Sequence, residues 1–247
     1  MTSKEQAQVA GTLQKVFMLC LKYPTAENLA LADQVIAAAR ARDVHRLIHV
    51  SSISVLPAAT GVVNEATAAV AHRWKGEYSK VKVAVELRFE EQVRDRVLLV
   101  VRPGFILGPG LADSLPGIAR LLPTGDLMGL GHRHTIIPLV ARDHVNEAIT
   151  RLVTLADARS GERFMLLAPD APTRVEYLDF HCRELGRGLR TLHFPAWFWR
   201  LGLTGGSVAL TLLKRRQTRL VKLFEHNINV RSYDARTTTN RLALDCR

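Results

Sequence analysis

Cysteine is scarce in this chain. There are three, Cys20, Cys182 and Cys246, far apart, with no C-x-x-C pair and no metal-ligand spacing. That excludes a disulfide framework and a zinc-ribbon protein, and it reads as reduced thiols in a cytoplasmic protein. Long hydrophobic runs are missing too. The apolar stretch free of charge at residues 201–213 has thirteen residues, too few to cross a bilayer. The polar opening Thr2-Ser3-Lys4-Glu5-Gln6 is not of signal-peptide type. Acidic residues are short against basic ones, 23 to 34, which leaves a net charge of +11. The basic residues are mostly arginine and are spread along most of the chain. The one local cluster is Lys214-Arg215-Arg216 with Arg219 and Lys222. No nucleic-acid-binding signature accompanies it, so a nucleic-acid partner is disfavoured. A solvated helix face is the plain reading of the cluster; contact with a membrane surface or an acidic partner is the other. His132-Arg133-His134 lacks a third ligand in register, so no metal site is expected.

What is present is ordinary globular material. The 247 residues are 47% hydrophobic and 23% charged, enough for one substantial core with a small appended lobe. Residues 3–13 read as a short helix. Three apolar runs of strand length follow, at 16–21, 46–50 and 97–101. Helices are expected between them, over 26–42 and from about 74 to 93. Runs without alternation suit strands buried on both faces, hence a parallel sheet covered by helices. After residue 104 prolines and glycines mark loops. A short strand is expected over 135–140, a helix over 143–155, a strand over 163–167 and a helix over 173–186. Mixed apolar and basic sequence from 194 to 224 reads as helical, broken near Gly205-Gly206. The expected division is a sheet domain at 1–160 and a mainly helical lobe at 161–247, with an interleaved chain.

In such sheets ligands sit beyond the carboxyl ends of the strands. Three features fall there: Ser51 and Ser52 after the second strand, Tyr78-Ser79-Lys80-Val81-Lys82 opening the next helix, and the segment from Arg102 to Gly110 after the third strand. Tyr78 and Lys82 are four apart and share a helix face. An ammonium beside a phenol favours the phenolate, and a phenol so tuned can exchange protons at neutral pH. A nearby serine hydroxyl can hold a substrate oxygen. Taken alone, the pair is also an ordinary helix opening with an exposed Tyr and Lys.

The order of these features, His49-Val50-Ser51-Ser52-Ile53-Ser54-Val55, then Tyr78-x-x-x-Lys82 with Glu86, then Val101-Arg102-Pro103-Gly104 and Gly108-Pro109-Gly110, resembles the extended short-chain dehydrogenase/reductase family, the NAD-dependent epimerase/dehydratase group. Asn28, Val140 to Ala148, and Tyr233-Asp234 with Arg241-Leu242 add looser matches, so that the resemblance covers nearly the whole chain. It implies an α/β fold: a partial Rossmann-like parallel sheet flanked by helices, with a small C-terminal substrate lobe. It also implies NAD or NADP as cofactor, a small-molecule substrate, and hydride transfer at an alcohol or ketone carbon. Ser52, Tyr78 and Lys82 take the catalytic positions. Asn28, Ser51, Tyr78, Lys82, Pro103, Gly104, Phe105 and Ile106 take cofactor-binding ones.

Several positions depart from the family. The G-x-x-G-x-x-G turn that holds the pyrophosphate is made by none of the sixteen glycines. By pattern, residues 3–13 and 16–21 align with the helix before the family's fourth strand and with that strand. On the order of 60 residues of one mononucleotide-binding half have no counterpart. The expectation is therefore a truncated member, whose apolar edge would be covered by further chain, a partner or a homodimer. A catalytically inactive binding or regulatory protein is the alternative. Gly104 and Leu107 stand where sugar-nucleotide members carry Asn and Tyr, and Leu56 where a Tyr follows the serine motif. With Phe105 and Ile106, this tilts the expected substrate towards a less polar, sterol- or flavonoid-like alcohol or ketone.

Overall fold

The computed structural model describes residues 25–57, 61–70, 77–108, 119–121, 127–129, 133–184, 191–193, 197, 201 and 231–244. The expected helix at 3–13, the strand at 16–21, Cys20, Cys246, the cluster at 214–222 and most of 194–224 lie outside them.

The first described element is helix α1, Thr25–Ala41, with Glu27 in its first turn and Arg40 in its last, each sign opposing the helix dipole. Its buried residues Asn28, Ala32, Ile36 and Ala39 recur at three and four, one face of a helix. Strand β1, Arg46–Val50, follows, then a single 3-10 turn, Ile53–Val55, and the short strand β2, Gly61–Asn64. Helix α2, Glu77–Gln92, leads into strand β3, Val97–Pro103. The three-residue strands β4, Phe105–Leu107, β5, Ala119–Leu121, β6, Leu127–Gly129, and β7, Leu139–Ala141, come next. The chain goes on through α3, Arg142–Thr154, β8, Glu162–Leu166, α4, Arg174–Glu184, and β9, Thr191–His193. It closes with β10, Arg231–Asp234, and α5, Arg236–Leu242.

Strands β1, β3 and β8 form a parallel sheet in that order, with Val50 beside Val101 and Val101 beside Phe164. Helices α1 and α2 cover one face: Ala32, Ile36, Val81, Val85 and Phe89 pack on Leu98 and Val100. Helix α3 and the end of the chain cover the other: Val145, Ala148, Ile149, Leu152, Leu242 and Leu244 pack on Leu99, Val101, Phe164 and Leu166. The helix-sheet-helix layering is the covered parallel sheet expected from the apolar strand runs, and the partial Rossmann-like architecture that the resemblance implies. The Arg46 guanidinium donates to the carbonyls of Leu152, Val153 and Leu155 at 2.7–2.9 Å. It thereby caps the carboxyl end of α3 with a cation.

Three features differ from expectation. Strand β3 ends at Pro103, but beyond Gly104, where loops are expected, the chain continues as β4, which pairs in parallel with β7. The stretch between Ser52 and the helix expected from about residue 74, where no strand is expected, contains β2, which pairs in parallel with β10, 170 positions away in register. The strand expected over 135–140 is confined to Leu139–Ala141, with Ile136 in an isolated bridge to Thr173. Strand β8 lies in the main sheet, and Leu242 and Leu244 of the closing segment pack on the same core.

Candidate active site

The site is built at the carboxyl edge of the sheet. Ser51 extends the ladder one residue past β1, its N–H donating to the Val101 carbonyl at 2.7 Å. Its side chain is fully buried, and its Oγ has no hydrogen-bond partner among the described residues. Ser52 caps the 3-10 turn, its Oγ accepting from the Ser54 N–H at 3.1 Å. One acceptor site of the hydroxyl is thereby filled, and its single hydrogen is left to donate. Val50 lies beside Val101 in register, and β3 runs two residues further, to Pro103.

Helix α2 presents two adjoining stripes. Val81, Val85 and Phe89 face the core, while Lys82 and Glu86, one turn apart, are also buried. Lys82 is 1% exposed, and its Nζ donates to the Val50 carbonyl at 3.2 Å. This bond ties the helix to the last residue of β1, immediately before the serines. Tyr78, one turn earlier, is 39% exposed, and its ring centroid lies 5.9 Å from the Lys82 ammonium. Ser51, Ser52, Lys82 and Tyr78 are thus brought to one place.

Around them lies a buried polar layer. Arg102, from the end of β3, sets its Nη2 2.5 Å from a Glu86 carboxylate oxygen and donates from Nη1 to the Thr67 carbonyl at 2.6 Å. Both charged groups of that pair are fully buried. His49 stacks on Phe89 with ring centroids 4.6 Å apart. Burial first, and then the charges of Lys82 and Arg102, push its pKa down to about 3. It is therefore a neutral imidazole among cations.

Pro103 is buried and Gly104 half-buried. A Cβ at Gly104 would lie 2.1 Å from the Pro138 carbonyl oxygen and 2.9 Å from Leu167 Cδ2. The Phe105 N–H donates to that same carbonyl at 2.7 Å. The glycine is therefore required by backbone packing. Phe105 is 42% exposed and Ile106 and Leu107 are half-buried, so the edge beyond Gly104 is apolar. Leu56 is no part of that edge: it is buried with Ile53, Val55, Val63, Val83 and Met165. Asn28 lies buried near the start of α1.

Two contacts carry no sequence-based expectation. The Glu86–Arg102 pair had a signal, since a basic residue within an apolar strand requires a carboxylate. The second pair had none. Glu65, just after β2, accepts from both the N–H and the hydroxyl of Thr238 at 2.8 Å. The Thr238 hydroxyl in turn accepts from the Met165 N–H at 2.8 Å. With the β2–β10 pairing, this clasps the closing segment beneath the turn that carries Ser52.

No family model matches the chain, and no curated protein matches it. Solved structures do resemble it. One is UDP-glucuronic acid 4-epimerase from Bacillus cereus in complex with UDP-glucuronic acid and NAD, with 12% identity over 88% of this chain and a TM-score of 0.61. Another is MoeE5 in complex with UDP-glucuronic acid and NAD, with 15% identity over 89% and a TM-score of 0.60. A third is gox2253, with 16% identity over 90% and a TM-score of 0.67. The chain spans 62%, 66% and 67% of the lengths of these three. At such identities the likeness is one of fold, and the fold of this chain is the α/β, Rossmann-like fold that these proteins share.

Proposed function

We propose that the chain is an oxidoreductase or epimerase of the extended short-chain dehydrogenase type, using NAD or NADP at the alcohol or ketone carbon of a low-polarity substrate. The observation that carries this reading is the convergence of Ser52, Tyr78 and Lys82 at the carboxyl edge of a parallel sheet. NAD in two of the similar structures supports the cofactor class.

The residues at this edge fit the nicotinamide-ribose end of a dinucleotide. Ser51 holds a buried Oγ with no partner among the described residues, and Pro103 ends the neighbouring strand β3. For the pyrophosphate end the sequence offers no glycine-rich turn. When bound, the dinucleotide supplies hydride exchange at its nicotinamide ring. The Ser52 hydroxyl donates to the substrate oxygen. The Tyr78 oxygen takes the proton of an alcohol, or returns it to a ketone. Lys82 stabilises the negative charge that forms on the phenol oxygen; its ammonium is fixed by the Val50 carbonyl and cannot swing to solvent without breaking that bond. Phe105 and Ile106 give the substrate an apolar wall.

The test is turnover of secondary alcohols of graded polarity with NAD or NADP, followed by absorbance of the reduced nicotinamide. The Tyr78→Phe variant should lose activity by about 10²-fold or more with an unchanged thermal midpoint. Retained turnover would remove Tyr78 from the mechanism. A second reading is a protein that keeps the fold and binds no dinucleotide. Absence of NAD and NADP binding in the folded chain would establish that one instead.

A further inference from the structure

The ionisable side chains buried at the sheet edge do not cancel in charge. Lys82 and Arg102 are cations, 1% and 0% exposed, and Glu86, 0% exposed, is an anion. His49 among them is neutral. This described layer therefore holds one surplus positive charge out of water. Glu86 faces Arg102, with Oε1 2.5 Å from Nη2 and Oε2 3.4 Å from Nε. Lys82 Nζ is held at the Val50 carbonyl, 5.9 Å from the Tyr78 ring centroid. Tyr78, Lys82 and Glu86 follow one another at four-residue steps on α2, so the carboxylate lies about 12 Å along the helix from the phenol. Other described charges near these elements are matched. Glu77 pairs with Lys80 at 2.7 Å, Asp33 of α1 with Arg88 at 3.5 Å, and Glu65 accepts from Thr238.

We propose that Glu86 and Arg102 are positioning residues that set the proton affinity of Tyr78 through the charge of the layer beneath it. A charge out of water acts further than one in solvent, and surplus positive charge favours the phenolate. Arg102 supplies the second cation, and Glu86 limits the surplus to one. Without Glu86 the phenol would part with its proton at lower pH and return it less readily; without Arg102 it would hold the proton more tightly. Either change moves the phenol away from the balance that acid–base exchange requires. The proposal rests on the acid–base role given above to Tyr78.

The experiment is titration of tyrosinate by ultraviolet absorbance. Each chain is read against its own Tyr78→Phe form, which subtracts Tyr23, Tyr177 and Tyr233. It needs neither substrate nor dinucleotide. Glu86→Gln should lower the Tyr78 midpoint by about half a pH unit or more, and Arg102→Met should raise it by a similar amount. Glu86→Met with Arg102→Met keeps the net charge and should leave the midpoint near that of the parent. Should one single variant fail to fold, the other still reads the sign. An unchanged midpoint in a folded single variant overturns the proposal, and so does a shift of the same sign in all three. Where an alcohol is oxidised with NAD or NADP, the rising limb of kcat against pH should move with the titration. A fixed limb would remove the pair from the reaction. Shifted midpoints in a chain that turns over no alcohol would sink the catalytic reading and leave the charge relation standing.

Discussion

Single residues at the sheet edge carry charge that the fold must keep paired or neutral. Arg102 and Glu86 satisfy each other in complete burial. Glu86→Gln leaves the guanidinium buried without its counter-charge and should cost about 3–5 kcal/mol. Replacing both residues by Met should cost clearly less; urea unfolding of the two variants checks the order. His49 behaves in the opposite sense, since it is buried neutral. Its pKa falls from the ordinary 6.5 to about 3 in the folded state. Between those values the unfolded chain takes up a proton that the folded chain refuses. The contribution of His49 is therefore complete above pH 6.5 and is lost as pH falls towards 3, by about 1 kcal/mol per pH unit. His49→Phe keeps a ring against Phe89 and removes the proton site. The urea midpoint of that variant should depend less on pH from 6.5 down to 4 than that of the parent chain; parallel profiles would remove His49 as the source. The serines, Tyr78 and Lys82 were legible in sequence because each has a local signature: an apolar run ending in hydroxyls, and a four-residue spacing on one helix. Gly104 was legible only as a departure. Its cause, the Pro138 carbonyl where a Cβ would sit, comes from a segment 34 positions along the chain.

Among the elements, the long apolar strands and the helices were readable, and the short strands were not. Strand β2 has the sequence Gly-Val-Val-Asn with burial on one residue, and nothing local distinguishes it from a loop. It is a strand because β10 pairs with it and Glu65 receives Thr238. Helix α4 shows the opposite case, with both ends of its start written locally. The Thr173 N–H and hydroxyl both donate to the Glu176 carboxylate, and the Glu176 N–H donates back to the Thr173 hydroxyl, a capping box. The Glu65–Thr238 pair joins elements that share no local signal, and it holds up the turn that positions Ser52. Glu65→Gln retains an oxygen that can accept from both Thr238 donors and should behave as the parent chain. Glu65→Ala removes the acceptor and should speed amide hydrogen exchange over residues 51–56 and 231–240, leaving β3 and α2 protected. Unchanged exchange at residues 51–56 would show that the clasp does not support the serine turn.

For the molecule as a whole, the parallel sheet, its two helical faces and the placement of the candidate residues at its carboxyl edge followed from the spacing of apolar runs. The path of the chain did not. Leu242 and Leu244 sit in the same core as Val50 and Val101, and Tyr233 and Ala235 pack beside the serine turn. The two ends of the described chain are therefore interdependent, which sets an order of events during synthesis. A nascent chain still attached at residue 230 holds every residue of the Ser52, Tyr78 and Lys82 constellation. It lacks β10, Thr238 and the two leucines that close the α3 face. The serine turn can settle only when residues 231–244 have left the ribosome. Until then the apolar floor of that turn is open to chaperones and to other chains, although every side chain of the candidate site is already made.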